Sequence, residues 1–304
     1  MIPASDPVQR PHDAKLLVVD DAGNLRHVPR SSWIELLQAG DLVVANDAAT
    51  IPASLFGLHV DTQRAVEVQL AGRRSLDPED VHEFTAVIFG EGDFQTRTED
   101  RPAPPRFKTG DRLELGPLLA TVARLLGHLR LVAIRFEGSA DRIWAGLARH
   151  GRPIQYAHLD APLSLWDVWT PIAGPPAAFE PPSAGFVIDW NIVAALRARG
   201  VWFTTITHAA GISSTGDSAL DACLPFDEPY RIPEAAAAAI RRTRERSSRV
   251  IAVGTTVVRR LEHAASSGTI RAGEGLATER IGPGTRLRAV DGILSGTHEP
   301  GTTL

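Results

Sequence analysis

The chain has 304 residues, 43% hydrophobic and 22% charged, which is an ordinary globular composition with length for one large domain or two modest ones. Its single cysteine, Cys223, excludes an internal disulfide framework and fits a reducing cytoplasm, and no apolar run reaches the length of a membrane span. A formal net charge of -4 gives the molecule no overall attraction for a polyanion, so nucleic-acid binding would need a local basic patch.

The N-terminal stretch lacks the basic start and apolar core of a secretory signal, so a cytoplasmic protein is expected. Residues 15–20 (KLLVVD) predict a strand, followed by a turn at 21–24. Ser31 or Ser32 can cap a short helix that runs to Leu37 and is ended by Gly40. Residues 41–45 (DLVVA) form a buried-strand run leading into Asn46 and Asp47.

From about 60 to 138 the character changes. Short runs rich in Val, Ile, Phe and Leu recur at 65–70, 85–89, 112–115, 118–125 and 129–136, separated by Gly, Pro and Asp turns. That spacing predicts a small all-β barrel. Beyond Ser139 helical and strand patterns return: helices at 141–150, 191–199, 233–246 and 256–266, with strands at 202–207 and 249–253. The expected architecture is therefore α/β: a larger discontinuous α/β domain (1–60 and 139–304) with an inserted β-barrel domain (61–138).

The most informative local unit is 250–259 (VIAVGTTVVR), a buried strand followed by a helix. Gly254 permits close approach of a ligand, Thr255 and Thr256 open the helix, and its first N–H groups favour an anion. Arg259, one turn in, could pair with a carboxylate. Asn46 and Asp47 follow a strand, where α/β folds place ligand-binding side chains. His208 also follows a strand and opens a loop of small residues around Gly211 that could surround a ligand. His298 and Glu299 form an acid/base pair by residue type. Each has a plain structural alternative: a threonine-capped turn, an Asx turn, a hydrogen-bonded histidine, a C-terminal turn. The arginines at 241, 242, 244, 246 and 249 read as a solvated helix face. No CxxC pair or HExxH spacing is present, so no metal is expected.

Taken together, several segments resemble the S-adenosylmethionine:tRNA ribosyltransferase-isomerase family of queuosine biosynthesis, in the family's order. Residues 40–47 and 51–57 (GDLVVAND, IPASLFG) resemble its GDLLVVNDTRVIPARLFG; 108–114 (KTGDRLE) resemble its KPGDRLEF. Residues 251–262 (IAVGTTVVRRLE) match its IAVGTTSVRTLE closely, and 294–304 resemble its LLTNFHLPKSTL region. The family's PTAGLHFT corresponds to 182–189 (PSAGFVID), which brings in Ser183 and Gly185 as substrate-binding candidates and places Val187 where the family has histidine. Its NDTR reads NDAA here, so Ala49 stands in place of the arginine.

The resemblance implies an α/β domain with a β-barrel insert. It also implies transfer and isomerisation of the ribosyl group of S-adenosylmethionine, a donor substrate, onto a deazaguanine in tRNA. By residue type and position, Asp47, His208, His298 and Glu299 are the catalytic candidates. Asn46, Ser183, Gly185, Gly211, Gly254, Thr255, Thr256 and Arg259 are assigned to substrate binding. Two alternatives accompany it: a paralogous enzyme that cleaves or transfers from S-adenosylmethionine to a small molecule, and a non-catalytic nucleoside- or RNA-binding protein.

Overall fold

A computed structural model describes residues 14–157, 159, 161–266, 268–282 and 284–296. His298 and Glu299 therefore lie outside the described residues.

The chain opens with an antiparallel hairpin, β1 (Lys15–Val19) and β2 (Leu25–Pro29), whose turn is held by Asp20 accepting from the Ala22 and Asn24 backbone N–H groups. The helix expected before Leu37 is a 3-10 helix, Arg30–Leu36. Neither serine caps it; Pro29 occupies the cap position and offers no side-chain acceptor. Then come β3 (Leu42–Asn46), buried along its whole length, and the short β4 (Ala49–Thr50).

Six antiparallel strands follow: β5 (Ser54–His59), β6 (Arg64–Gly72), β7 (Glu83–Phe89), β8 (Arg112–Leu115), β9 (Leu118–His128) and β10 (Leu131–Phe136). They close into a barrel in the order β10-β7-β6-β5-β8-β9. Closure leaves no free edge. The first barrel strand begins at Ser54, ahead of the insert boundary expected at 61, because β5 is needed to bridge β6 and β8. Gly57 makes that bridge feasible: a Cβ there would lie 1.9 Å from the Glu114 carbonyl oxygen across the β5–β8 pair.

The remaining chain supplies α1 (Ala140–His150), α2 (Leu165–Val168), β11 (Pro176–Ala178), α3 (Trp190–Ala198), β12 (Trp202–His208), α4 (Ser218–Asp221), β13 (Glu228–Ile232), α5 (Glu234–Glu245), β14 (Val250–Val253), α6 (Thr255–Ser266), β15 (Gly273–Ala277) and β16 (Gly292–Leu294). The main sheet has the order β15-β13-β12-β3-β14-β16. Its centre is parallel, with β12 and β14 flanking β3 and β16 beyond β14, while β13 and β15 add an antiparallel edge. One face packs Leu42, Val44, Val250 and Ala252 against α5 and α6, and the other packs Val43, Ala45, Ile251 and Val253 against α3. Alternate residues of β3 and β14 thus serve opposite layers, which explains why these strands read as unbroken apolar runs.

The barrel core is not closed to its neighbours. Phe179, Ile212, Leu220 and Leu224, all from the chain after the barrel, pack into the same apolar cluster as the barrel interior. Among the described residues no helix is long and apolar enough to cross a membrane.

Candidate functional site

In a parallel sheet, loops leaving the carboxyl ends of neighbouring strands converge, and a crevice opens where successive strands are added on opposite sides. That condition holds at β3, which has β12 on one side and β14 on the other. A cavity of about 290 Å³ lies there. Gly254, Thr255 and Thr256 line it from the end of β14, residues 210–213 from beyond β12, and Ser295 and Gly296 from beyond β16. Ser183 and Arg259 line it too, as do four groups the sequence did not single out: Tyr156, Glu180, Ser213 and Glu228.

Gly254 takes φ +92°, a conformation that costs an L side chain, and its N–H donates to the Leu294 carbonyl at 2.8 Å. This bend starts α6, whose opening N–H groups lack partners within the helix. The Thr256 hydroxyl is buried at the same end with no hydrogen-bond partner. The end of α6 is thus a place for a small anion such as a carboxylate.

Glu228, at the start of β13, is held on three sides. Oε1 accepts from the Gly211 N–H at 2.6 Å, Oε2 lies 2.8 Å from His208 Nε2, and the Arg259 guanidinium donates to the same oxygen. Burial alone would push this carboxyl up, but His208, Arg259 and the Gly211 N–H outweigh it and hold Glu228 below the usual glutamate range. Arg259 does not reach for a ligand; its other N–H groups donate to the Glu279, Phe226 and Ala277 carbonyls at 2.9, 3.0 and 3.0 Å.

Glu180 is the opposite case. Burial is the main cause that lifts its carboxyl above the usual range, and the negative charge of Glu228 adds to it, while the Tyr156 hydroxyl and Ser213 donate and only partly offset this. Tyr156 is in turn pushed well above an ordinary phenol, by burial first and by the Glu180 charge second. One cavity therefore contains a carboxylate held below the usual glutamate range and a carboxyl lifted above it. Two carboxyls pushed apart in this way divide the roles of fixed charge and proton carrier between them.

The other expected residues sit behind this wall. Asn46 does not line the cavity: its amide donates to the His208 carbonyl at 2.9 Å, and its oxygen accepts from the His208 and Ala48 N–H groups at 2.9 and 3.1 Å. Asp47 also points elsewhere, accepting from the Thr205 and Thr207 hydroxyls at 2.7 Å each. His208 is fully buried, with Nδ1 2.9 Å from the Thr256 carbonyl and Nε2 facing Glu228. Gly185 is buried under Thr170, whose Cγ2 would be 3.1 Å from an added Cβ. Val187, where the resembling family has histidine, packs against the α3-side core, and Ala49 belongs to β4.

Although no ligand spacing for a metal was found in the sequence, His59, Asp61 and Asp111 bring one potential ligand atom each within 4.8 Å of one another. They lie on the barrel and none lines the cavity. Local structure accounts for two of them: His59 Nδ1 is 2.8 Å from the Thr62 hydroxyl, and Asp111 accepts from the Lys108 N–H in the turn.

Residues 2–304 match the model of a family described as queuosine biosynthesis protein. The chain belongs to that family. It is 34% identical to the S-adenosylmethionine:tRNA ribosyltransferase-isomerase of Citrifermentans bemidjiense, over 99% of this chain and 85% of the relative. It is 33% identical to the enzyme of the same name from Gloeobacter violaceus, over 99% and 81%. A crystal structure titled S-adenosylmethionine tRNA ribosyltransferase, from Thermotoga maritima, aligns with 98% of this chain and 82% of its own at 22% identity and a TM-score of 0.45. Glu180 lies two residues before the segment 182–189 that the resemblance marks, yet nothing in its local pattern set it apart. Tyr156 lies 24 residues away in sequence, and only the fold brings the two together.

Proposed function

We propose that this protein transfers and isomerises the ribosyl group of S-adenosylmethionine onto a deazaguanine in tRNA, with release of adenine and methionine. The observation that supports it most is the single cavity at the carboxyl edge of the sheet that joins a fixed carboxylate, Glu228, to a proton-carrying one, Glu180. The family match over nearly the whole chain supports S-adenosylmethionine as the substrate proposed for that cavity.

S-adenosylmethionine has a sulfonium, a carboxylate and an adenine. The carboxylate suits the N-terminus of α6, where Gly254 leaves the backbone open and Thr256 offers a free hydroxyl. Glu228 stays ionised, its charge balanced by Arg259, and forms a fixed polar wall of the cavity; His208 and Arg259 act as positioning residues for it. The sulfonium acidifies the adjacent ribose carbon, and Glu180 takes that proton and passes it to the departing adenine. Tyr156 aligns the Glu180 carboxylate by donating to it. Asn46 positions His208 from behind.

The test is adenine release from S-adenosylmethionine by the purified protein, with and without tRNA carrying the aminomethyl-deazaguanine. Release should depend on the tRNA, and Glu180→Gln should lower kcat about 10²–10⁴-fold while S-adenosylmethionine still binds. No turnover with that tRNA in a folded, S-adenosylmethionine-binding protein would sink the proposal. Release that is indifferent to tRNA would establish a small-molecule acceptor instead.

A further inference from the structure

A second, larger cavity of about 1020 Å³ runs between the outer wall of the barrel and the β13–β15 edge of the sheet. It adjoins the first, since Pro225 lines both. Five arginines line it against three carboxylates, in a molecule whose net charge is negative. One carboxylate, Glu83, is shared by Arg124 at 2.7 Å and Arg135 at 2.9 Å, so that cluster retains a positive charge. Arg280 donates only to neutral carbonyls, those of Ala222 and Cys223, at 3.1 and 2.7 Å. Arg74 is exposed beside them.

Arg73 is the telling residue. It is only 4% exposed, yet its Nε and Nη1 atoms have no hydrogen-bond partner, and it lines this groove. Burial draws the guanidinium down to about 10, which leaves it charged at neutral pH; Asp77 and Asp80 influence it by charge alone. A buried guanidinium with unfilled donors is costly unless an anion completes it. The arginine fork matches phosphate geometry, and a groove lined with several of them fits a chain of phosphates better than a single one.

We infer that this groove is the docking track for the sugar-phosphate backbone of an RNA substrate, delivering the acceptor base past Pro225 into the cavity. The inference rests on the tRNA reading above. The arginines at 241, 244 and 249 do not compete for this role, because they are occupied by Glu234, Asp291 and Asp41 respectively.

The intact protein can be titrated against a fluorescently labelled tRNA anticodon stem-loop over a series of salt concentrations, following anisotropy. The double variant Arg74→Gln/Arg280→Gln should weaken RNA affinity about tenfold or more and reduce the log–log salt slope by about two, one for each lost phosphate contact. Affinity for S-adenosylmethionine, measured by calorimetry, should stay as in the wild type. Arg73→Met should weaken RNA binding further wherever circular dichroism shows it folded; the surface double variant carries the test if it is not. Unchanged RNA affinity and salt slope in the double variant, or no RNA binding by the wild type, would overturn the inference. RNA binding in the groove without RNA-dependent adenine release would instead count against the proposed reaction and leave the groove standing.

Discussion

Glu228 and Arg259 show how a buried charge can be structural and functional together. Removing the guanidinium leaves a carboxylate buried with only His208 and one N–H to hold it. Arg259→Met should cost about 3–5 kcal/mol of stability, read from urea denaturation, since breaking a buried pair exposes the desolvation it had offset. A variant within about 1 kcal/mol of wild type would show that the pair is dispensable. The pH dependence separates the two carboxyls. Glu228 is depressed in the fold, so its contribution is present above the ordinary glutamate value and is lost as pH falls through the lowered one. Glu180 is raised, so its contribution is present below the ordinary value and is lost as pH rises through the raised one. Glu180→Gln, neutral throughout, should therefore gain Tm relative to wild type as the pH climbs from acid to neutral. A Tm difference flat with pH would refute the raised carboxyl. Residue types alone could nominate Arg259 and His208 for a site. They could not show that both nominees spend their donors on the scaffold around Glu228.

At the scale of elements, β5 carries the clearest lesson. Proline at 52 and glycine at 57 weaken its strand signal, and the expected insert boundary at 61 leaves it in the α/β domain. The glycine is there for a tertiary reason: the Glu114 carbonyl occupies the space of its missing Cβ. Gly57→Ala should force the β5–β8 ladder apart and destabilise the protein by about 1–3 kcal/mol or more, seen as a lower Tm by circular dichroism. Gly127→Ala is the matching control, because its surroundings are open and only its φ of +81° is unfavourable. Gly57 has no positive φ, so a loss no larger than that of Gly127→Ala would count against the carbonyl contact as a steric block. The helices were easier to read. The 3.6-residue pattern and Pro233 announce α5, and α6 follows the bend at Gly254, so both lie within a residue or two of their expected bounds.

For the whole molecule, the barrel and the α/β part share apolar surface through Phe179, Ile212, Leu220 and Leu224. Neither part can unfold without exposing residues of the other. Calorimetry should accordingly show one transition, with calorimetric and van't Hoff enthalpies in agreement. Two resolved transitions would mean that the shared cluster is too weak to couple them. The same joint creates the arginine-lined groove, so a net charge of -4 coexists with a local basic track.

By itself the sequence determined the family, the α/β character, the barrel and the strand–turn–helix at Gly254, because these depend on local periodicity, turn chemistry and contiguous motifs. Tertiary structure alone decided which polar groups share the cavity. Glu180, Tyr156 and Glu228 come from separate segments, and their protonation depends on burial and on neighbours that no window of sequence contains. It also turned Asn46 and Asp47 away from the cavity, since hydrogen bonds to the end of β12 claim their side chains.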